Sequence, residues 1–220
     1  MKTKKDFISV YFYKEPFDCL DKPLSDYRKS HLETVDIFER HDSEMVWRLL
    51  ETVLFRDFEI ELDHLNPKKL DTGRWVFDKY SISMSHSRGF YAIAISFNQI
   101  GIDVQKDCEV LADSTRWSKC EQELLSYTEP EMHVVLWSRK ESLYKYLDPG
   151  IPFWKNINKI DTIPYTKFFK SWFYDDRDLF CVTICSDLID SGNKFALLFD
   201  TNLSIDEIKD VHLNNSLNSR

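Results

Sequence analysis

Glycine and proline are scarce in this chain, and long apolar runs are missing. Five Gly and seven Pro among 220 residues argue against a fibrous or loop-rich chain. No segment approaches the roughly 20 apolar residues that a membrane-spanning helix needs. The opening residues MKTKKDFISVYFY contain no apolar core suited to a secretory signal, because Asp6 interrupts them. We therefore expect no membrane partner.

Paired cysteines at redox spacing are also missing. The chain has an odd number of cysteines and no C-x-x-C motif: Cys19, Cys108, Cys120, Cys181 and Cys185. This pattern favours free thiols in a reducing compartment, and it predicts a cytoplasmic protein. Because Cys181 and Cys185 lie an even number of residues apart in LFCVTICS, we expect both as small buried side chains on one strand face.

Positive charge is in deficit. The 29 Lys and Arg against 37 Asp and Glu leave a net charge of −8, which argues against nucleic acid as a partner. A phosphate-bearing ligand would therefore need a local basic cluster. Aromatic residues, in contrast, reach 15% and apolar residues 43%, enough to exclude disorder and to build one large domain or two small ones.

Strand-like and helix-like segments alternate along the chain. FISVYFYK predicts an opening strand, residues 27–58 repeat apolar side chains at helical spacing, and DFEIELDHL alternates as a strand. The block KYSISMSHSRGFYAIAISFNQIGIDVQ predicts a short antiparallel meander. Helices near residues 117–127 and up to Leu147 follow, and then strands in KSWFYDDRDLFCVTICS and KFALLFD. We expect an α+β fold of two comparable halves, residues 1–100 and 101–220.

The long helix carries charges among aromatic side chains in WSRKESLYKYL. Thr128-x-x-Glu131 predicts a capping box at its start. On a helical wheel Glu141 and Lys145 lie opposite an apolar face. That face consists of Met132, Leu136, Leu143 and Leu147. An exposed i,i+4 salt bridge between Glu141 and Lys145 is one interpretation, a functional site is the other, and this segment alone leaves both open.

Two shorter segments carry candidate ligands. In IGIDVQ, Asp103 ends an apolar strand and Gln105 shares its face, an oxygen pair that suits Mg²⁺. A turn-forming Asp at a strand end is the ordinary alternative. SMSHSRG combines hydroxyls, an imidazole and Arg88, which are donors that hold phosphates, although a serine-rich turn looks similar. No G-x-S-x-G motif surrounds it, which argues against a Ser/His nucleophile pair.

Together, SMSHS, IGIDVQ and WSRKESLYKYLDPGI resemble the 4′-phosphopantetheinyl transferase superfamily, in its long, single-chain (Sfp-like) branch. The family pattern runs from a Leu/Ile-Ser-His-Ser strand through Gly-Ile/Val-Asp-x-Glu to Trp-x-x-Lys-Glu-Ser/Ala-x-x-Lys. The last motif is complete here, in Trp137, Lys140, Glu141, Ser142 and Lys145. The resemblance extends from about Gly73 to Ile151.

The resemblance implies a pseudo-twofold α+β fold of two similar halves, each with a small antiparallel sheet and helices. The active site would lie between them. The implied reaction transfers the 4′-phosphopantetheine arm of coenzyme A to a serine of an apo acyl or peptidyl carrier protein, as a holo-[acyl-carrier-protein] synthase does. It would depend on Mg²⁺ and release 3′,5′-ADP. We expect a monomer, because one chain supplies both halves.

The resemblance also assigns roles to individual residues. Asp103, Gln105 and Glu141 would bind Mg²⁺, and Glu141 would accept the proton of the carrier serine, directly or through a water. Lys140 and Lys145 would face the phosphates, and Lys145 would stabilise or protonate the departing oxygen. Coenzyme A would contact a basic and polar set, namely Arg74, Ser85, His86, Lys140 and Lys145.

Three positions depart from the family pattern. Gln105 replaces a second acidic ligand, so weaker metal binding is expected. Trp75 replaces a proline and either shapes an adenine pocket or belongs to the core, and Trp47 stands where an arginine is expected. Two rival functions follow. One is a weakened paralogue that binds coenzyme A or carrier proteins without efficient transfer, and the other is an acidic interaction module with surface salt bridges.

Overall fold

The computed structural model describes residues 6–14, 26–106, 114–176, 178–190, 196–200 and 208–210. Within them lie the strands β1 Phe7–Lys14, β2 Lys68–Lys69, β3 Trp75–Val76, β4 Ser81–Ser87, β5 Phe90–Ser96, β6 Gly101–Lys106, β7 Phe169–Asp176, β8 Asp178–Cys185, β9 Ala196–Asp200 and β10 Ile208–Asp210. The helices are α1 Asp26–Glu33, α2 Arg40–Phe58, α3 Lys119–Leu125, α4 Pro130–Leu147, α5 Phe153–Asn156 and α6 Asp187–Asp190.

Two four-stranded sheets form the centre of the protein. The first has the strand order β4-β5-β1-β9 and the second the order β10-β7-β8-β6. Every pairing in them is antiparallel except that of β1 with β9, which is parallel. Because β9 follows residue 100 in the chain and still joins the first sheet, strand pairing crosses the expected boundary. The division into 1–100 and 101–220 stays a prediction.

The sheets face each other across a shared apolar core, and a helix covers the outer side of each. Phe12 and Phe90 of the first sheet meet Val104 of the second in this core. Helix α2 packs Trp47 and Leu50 on the outer side of the first sheet, where each fully buried large side chain contributes about 1.5–3 kcal/mol. Helix α4 covers the second sheet. The α+β fold class with small sheets and helices is confirmed.

The region before residue 66 differs from the expected pattern. The predicted helix of 27–58 is two helices, with a break at 34–39. The predicted strand DFEIELDHL is wrong, because α2 continues to Phe58 and Glu59 then takes a left-handed φ of 54°. A 3₁₀ turn over Leu62–Leu65 follows, with both leucines buried. Their spacing of three residues suits this turn.

The predicted meander is correct for two of its three strands. β4 and β5 form an antiparallel hairpin. β6, however, leaves that sheet and pairs with β8, so that Asp103 lies opposite Thr183. The inner side chains of β6, such as Ile102, are fully buried between the sheets, and its other face lies under α4. The hydrophobic pattern alone could not show whether β6 pairs with β5 or with β8.

Serine side chains join the two sheets at the corner where the edge strands β4 and β6 meet. The hydroxyl oxygens of Ser81, Ser83, Ser85 and Ser87 accept hydrogen bonds from the N–H groups of Ile100, Ile102, Val104 and Lys106, at 3.2, 3.0, 3.2 and 3.3 Å. We call this set the serine ladder. It pairs the N–H groups of an edge strand, which would be costly to bury without acceptors.

Glycine at position 101 allows α4 to lie directly on β6. A Cβ atom at Gly101 would stand 1.9 Å from the carbonyl oxygen of Ser142 and 2.8 Å from the backbone nitrogen of Tyr146. Only a residue without a side chain permits this approach. The hydroxyl of Ser138 also donates to the Asp103 carbonyl oxygen at 3.4 Å. This close contact brings Glu141 and Lys145 over the strand that carries Asp103.

The expected apolar face of α4 is correct only in part. Leu136 and Leu143 are buried, but in separate clusters, and Leu147 is 38% exposed. Arg139 and Lys140 are buried as well, because neighbouring elements cover the helix on several sides. A pattern with one apolar face therefore could not describe it.

The capping box expected at the start of α4 is wrong. The N-terminal cap is Glu129, which makes no side-chain hydrogen bond to the helix. A capping box with both hydrogen bonds forms instead at α3, between Ser118 and Glu121. The proline that follows Glu129 already supplies a favoured first helical residue.

The prediction of free thiols, with Cys181 and Cys185 buried on a strand, is confirmed for the cysteines that the structure describes. Cys181 and Cys185 are buried free thiols on β8, and Cys120 is a free exposed thiol. Burial raises the pKa of Cys181 to about 12, so this thiol is unreactive. Cys19 and Cys108 lie outside the described residues. In the described part of the chain no helix has the length and apolar character to cross a membrane.

Candidate active site

A cleft of about 260 Å³ opens between the β2–β3 hairpin, β4 and the C-terminal end of α4. Arg74 and Trp75 line one side, and Lys145 and Asp148 line the other. The Arg74 guanidinium lies 3.1 Å from the Asp148 carboxylate, so an ion pair links the hairpin to the helix end. The cleft is small, and two cationic side chains, Arg74 and Lys145, line it.

Asp103 is the buried acid next to this cleft. It is 0% exposed, and its Oδ1 atom accepts hydrogen bonds from the Ser85 hydroxyl at 2.9 Å and the Lys145 ammonium at 2.9 Å. Its Oδ2 atom has no hydrogen-bond donor among the described residues. A buried carboxylate oxygen without a donor is costly. A cation or a shared proton at Oδ2 would remove this cost.

Glu141 comes from α4 to the same place. Burial raises the pKa of Glu141 from its ordinary 4.5 to about 8, and the neighbouring charge of Asp103 adds to the effect, while Lys145 opposes it. The indole of Trp137 hydrogen-bonds the Glu141 carboxylate, as a donor. Two adjacent carboxylates do not both ionise readily unless a cation lies between them.

The donor atoms at this centre fit a hard divalent cation. Gln105 lies two residues beyond Asp103 on β6 and is partly buried, so its amide projects from the same strand face. The set is two carboxylates and one amide. Across the described residues, no group of three or more His, Cys, Asp or Glu side chains is placed to hold a metal. Oxygen donors alone favour Mg²⁺ over the softer transition metals.

The Glu141 carboxyl predicts how stability depends on pH. Its pKa in the folded protein, about 8, exceeds its ordinary 4.5. The metal-free folded protein therefore holds a proton between these values that the unfolded chain releases, and its unfolding free energy falls as pH rises from about 4.5 through about 8. Melting temperatures in EDTA, measured across this range, will show the loss. Mg²⁺ will restore more stability at the high-pH end.

A matched variant isolates this effect from other titrating groups. Glu141→Gln carries no titrating carboxyl, so the difference between its melting temperature and that of the wild type should grow with pH in EDTA. Parallel curves for the two proteins would contradict the assignment of the raised pKa to Glu141.

Lys145 is the lysine that the structure brings to this centre. Its ammonium donates at 2.9 Å to Asp103 Oδ1 and at 2.9 Å to the carbonyl oxygen of Ile102. The side chain is 27% exposed and lines the cleft. Lys145 therefore connects α4 to β6 and is still partly exposed to solvent. A surface salt bridge within one helix, the alternative considered for Lys145, would not include these contacts to β6.

Lys140 is placed elsewhere. Its side chain is 0% exposed, and its ammonium donates to the Glu121 carboxylate and the Ile160 carbonyl oxygen. Burial lowers the pKa of Lys140, and Glu121 opposes this. Glu121 also accepts hydrogen bonds from the Thr162 N–H at 3.1 Å and its hydroxyl at 2.9 Å. A phosphate contact by Lys140 stays a prediction, and its enclosed ammonium does not support it.

Removing the Lys140 ammonium should destabilise the fold. Lys140→Met leaves the buried Glu121 carboxylate without its counter-charge, and breaking such a pair costs about 3–5 kcal/mol. Urea unfolding will show a lower midpoint than for Lys145→Met, because Lys145 is partly exposed. The double variant Lys140→Met/Glu121→Gln should recover part of the loss. Equal midpoints for the two single lysine variants would contradict a structural role for Lys140.

Ser85 and His86 are neighbours on β4 with different partners. The Ser85 hydroxyl is engaged with Asp103 and with the backbone of β6. His86 Nδ1 lies 3.8 Å from Asp42 on α2, and Tyr91 donates to the other oxygen of that carboxylate at 3.0 Å. Burial lowers the pKa of His86 below its ordinary 6.5, against the effect of Asp42. The neutral imidazole is favoured near pH 7, and it can donate one hydrogen bond to an anion.

Trp47 and Trp75 stand at positions that differ from the family pattern. Trp75 packs edge-on against Trp47 at 4.7 Å between ring centroids and also lines the cleft. The two alternatives stated for Trp75, pocket and core, are therefore not exclusive. Arg48, the arginine that follows Trp47, pairs with Glu44 on its own helix at 2.8 Å.

Several partners of these residues were missed at the level of sequence. Asp42, Asp148 and Thr162 were not singled out, because each acts on a residue distant along the chain. Signals did exist for two features. The serines of SISMSHS repeat with a period of two, and Ser118-x-x-Glu121 matches a capping box. The first was interpreted only as a possible set of phosphate donors.

Part of the chain matches a known protein family. Residues 99–197 match the family model of the 4′-phosphopantetheinyl transferase superfamily. The match covers slightly less than half of the chain and includes Asp103, Glu141 and Lys145, whereas Arg74 and His86 lie outside it. A comparison with curated proteins found no match. The matched region supports phosphopantetheine transfer as the general class of chemistry.

Proposed function

We propose that this protein transfers the 4′-phosphopantetheine arm of coenzyme A to a serine of an apo acyl or peptidyl carrier protein and releases 3′,5′-ADP. It would do so as a holo-[acyl-carrier-protein] synthase of the long, single-chain type, acting as a monomer. The observation that carries the proposal is the joint placement of Asp103, Glu141 and Lys145 beside a cleft that also contains Arg74.

Charge complementarity supports coenzyme A as the substrate. The chain as a whole is acidic, with a net charge of −8, yet two cations line the cleft, Arg74 and Lys145. Each is paired with a carboxylate, Asp148 and Asp103 respectively. A polyanionic pyrophosphate would compete for these cations, and a guanidinium can bind phosphate through two parallel hydrogen bonds. His86 adds a donor from β4.

The proposed transfer needs a proton acceptor for the carrier serine and a stabilised leaving group. Glu141 is suited to accept the hydroxyl proton, because its raised pKa of about 8 makes its carboxylate a stronger base than an ordinary glutamate. Lys145 is suited to donate to the departing phosphate oxygen, since its ammonium is partly exposed. Both come from successive turns of α4, so one rigid helix positions them together.

Asp103, Glu141 and Gln105 would hold Mg²⁺. Two features of this chain fit the ion: Asp103 Oδ2, which has no donor among the residues that the structure describes, and the raised pKa of Glu141. When bound, Mg²⁺ supplies charge neutralisation to the pyrophosphate oxygens. The protein's own contribution is to keep two carboxylates close together in a partly buried place, at a cost in the metal-free state.

Mass spectrometry of carrier proteins tests the proposal. The protein is incubated with coenzyme A, Mg²⁺ and a panel of purified apo-carrier domains of fatty-acid, polyketide and peptide-synthetase type. A carrier that gains the mass of one phosphopantetheine arm, together with release of 3′,5′-ADP, supports transfer. If coenzyme A binds but no carrier in the panel gains mass, the weakened-paralogue alternative is favoured. If neither coenzyme A nor carrier binds, the interaction-module alternative is favoured.

The amide at position 105 predicts an unusual demand for metal. Because Gln105 is neutral, the centre has less negative charge than one with three acids, and Gln105→Glu should lower the Mg²⁺ concentration for half-maximal transfer. Gln105→Leu, which removes the oxygen, should raise it. Steady-state rates across a Mg²⁺ series will measure both. The same Mg²⁺ requirement in both variants and the wild type would exclude residue 105 from metal binding.

A further inference from the structure

We propose that Ser85 is a positioning residue for the Asp103 carboxylate, and that its hydroxyl decides which carboxylate oxygen is left open at the metal centre. The inference rests on the proposed function for the identity of the bound ion. The resemblance implies a contact of Ser85 with coenzyme A, whereas the observed contacts of the hydroxyl are with β6.

The hydrogen bonds of Ser85 leave one orientation for its proton. A serine hydroxyl carries one proton and two acceptor positions. The Val104 N–H donates to the Ser85 oxygen at 3.2 Å, so that contact uses an acceptor position. The proton is donated to Asp103 Oδ1 at 2.9 Å. Because that single proton is engaged, the hydroxyl has none left to donate to a phosphate.

This arrangement makes the two oxygens of Asp103 different. Oδ1 accepts from both Ser85 and Lys145, each at 2.9 Å. Oδ2 is buried and has no donor in the described part of the chain, and the Glu141 carboxyl interacts with this side chain. Donors behind a ligating carboxylate orient it and are costly to remove, at about 10–100-fold in metal affinity. Ser85 holds Oδ1 and thereby presents Oδ2.

The serine ladder supplies a comparison within the chain. Ser87 accepts from the Lys106 N–H at 3.3 Å, as Ser85 does from Val104 at 3.2 Å. Both therefore contribute to the joint between β4 and β6. Of these two hydroxyls, the one of Ser85 also donates to Asp103. Weaker metal binding in a Ser85 variant alone would thus be due to the Asp103 carboxylate. Weaker metal binding in both Ser85 and Ser87 variants would be due to the contact between β4 and β6.

The decisive measurement is metal binding without substrate. Mn²⁺, a hard ion visible by electron paramagnetic resonance, is titrated into the wild type and into Ser85→Ala, Ser85→Thr and Ser87→Ala without coenzyme A. Ser85→Ala should weaken Mn²⁺ binding about 10-fold. Ser85→Thr keeps the hydroxyl and should bind as the wild type does, and Ser87→Ala should lose only thermal stability. If Ser85→Ala does not fold, Ser85→Cys, a weaker donor of similar size, takes its place.

Two results would overturn the inference. One is equal Mn²⁺ affinity in Ser85→Ala and Ser87→Ala. The other is unchanged Mn²⁺ affinity in Ser85→Ala together with weaker binding of coenzyme A in EDTA by calorimetry, which would assign Ser85 to the substrate. A wild type that binds no Mn²⁺ overturns both the metal centre and this inference. A wild type that binds Mn²⁺ but modifies no carrier overturns only the proposed function, and the Ser85 comparison still decides the rest.

Discussion

Glu141→Gln is expected to lower the rate of carrier modification by about 10²–10⁴-fold, the range for loss of a positioned proton acceptor. The substitution removes the negative charge that the centre offers to a cation and the group suited to take the serine proton. It preserves size and the capacity to accept a hydrogen bond from Trp137. The variant should therefore lose catalytic rate and still fold.

Single-turnover kinetics with a carrier protein and saturating coenzyme A will measure this loss. The matched control is Glu131→Gln, which removes an exposed acid from the first turn of the same helix and should retain full activity. The variant should also bind coenzyme A in EDTA as the wild type does, because Glu141 is not one of the two cationic side chains that line the cleft. If Glu141→Gln is as active as Glu131→Gln, Glu141 takes no part in the reaction.

Gly101→Ala is expected both to slow transfer by about 10²-fold and to destabilise the protein. The new Cβ would meet the Ser142 carbonyl oxygen at 1.9 Å, a backbone atom that no rotamer change can move. Helix α4 must therefore shift away from β6. Overpacking of this kind costs about 1–3 kcal/mol, and a displacement of about 1 Å at reacting groups costs about 10²-fold in rate. Both losses should appear in the same preparation.

The control is Gly150→Ala, just beyond the end of α4. Gly150 has a φ of +70° and nothing within 4 Å of its Cβ position. Its substitution strains the backbone by about 1–2 kcal/mol and moves no helix, so activity at a permissive temperature should remain. Urea unfolding and carrier modification of the two variants separate general strain from the helix–strand contact. Normal activity in Gly101→Ala would show that α4 can move without consequence.

The elements of the candidate site were predicted unevenly. Helix α4 ends at the predicted Leu147, because its spacing of apolar residues is a local property. β6 was predicted from its alternation, but its partner strand was not. The same apolar face of Ile102 and Val104 would suit β5 or β8, and only packing of the whole domain selects β8.

Lys140 and Lys145 illustrate what remained undecided. Both belong to one short motif, and the resemblance assigns both to phosphates. The structure separates them, because residues five apart on a helix point about 140° apart. Lys145 faces β6 and the cleft, whereas Lys140 faces Glu121 and Ile160. A lysine can end in a buried ion pair or at a ligand, and the difference lies in which acid the fold brings near.

By itself, the sequence determined the features that depend on neighbouring residues: the opening strand, the long helix, the free buried thiols and the motif that places Glu141 near Lys145. Short-range spacing decides these, so they can be deduced before any fold is known. Tertiary structure alone decided that Asp103 has one oxygen held by Ser85 and another without a donor among the described residues. It also decided that α4 reaches β6 over Gly101. The partners in these contacts lie 18 residues or more apart in the chain, where sequence periodicity carries no information.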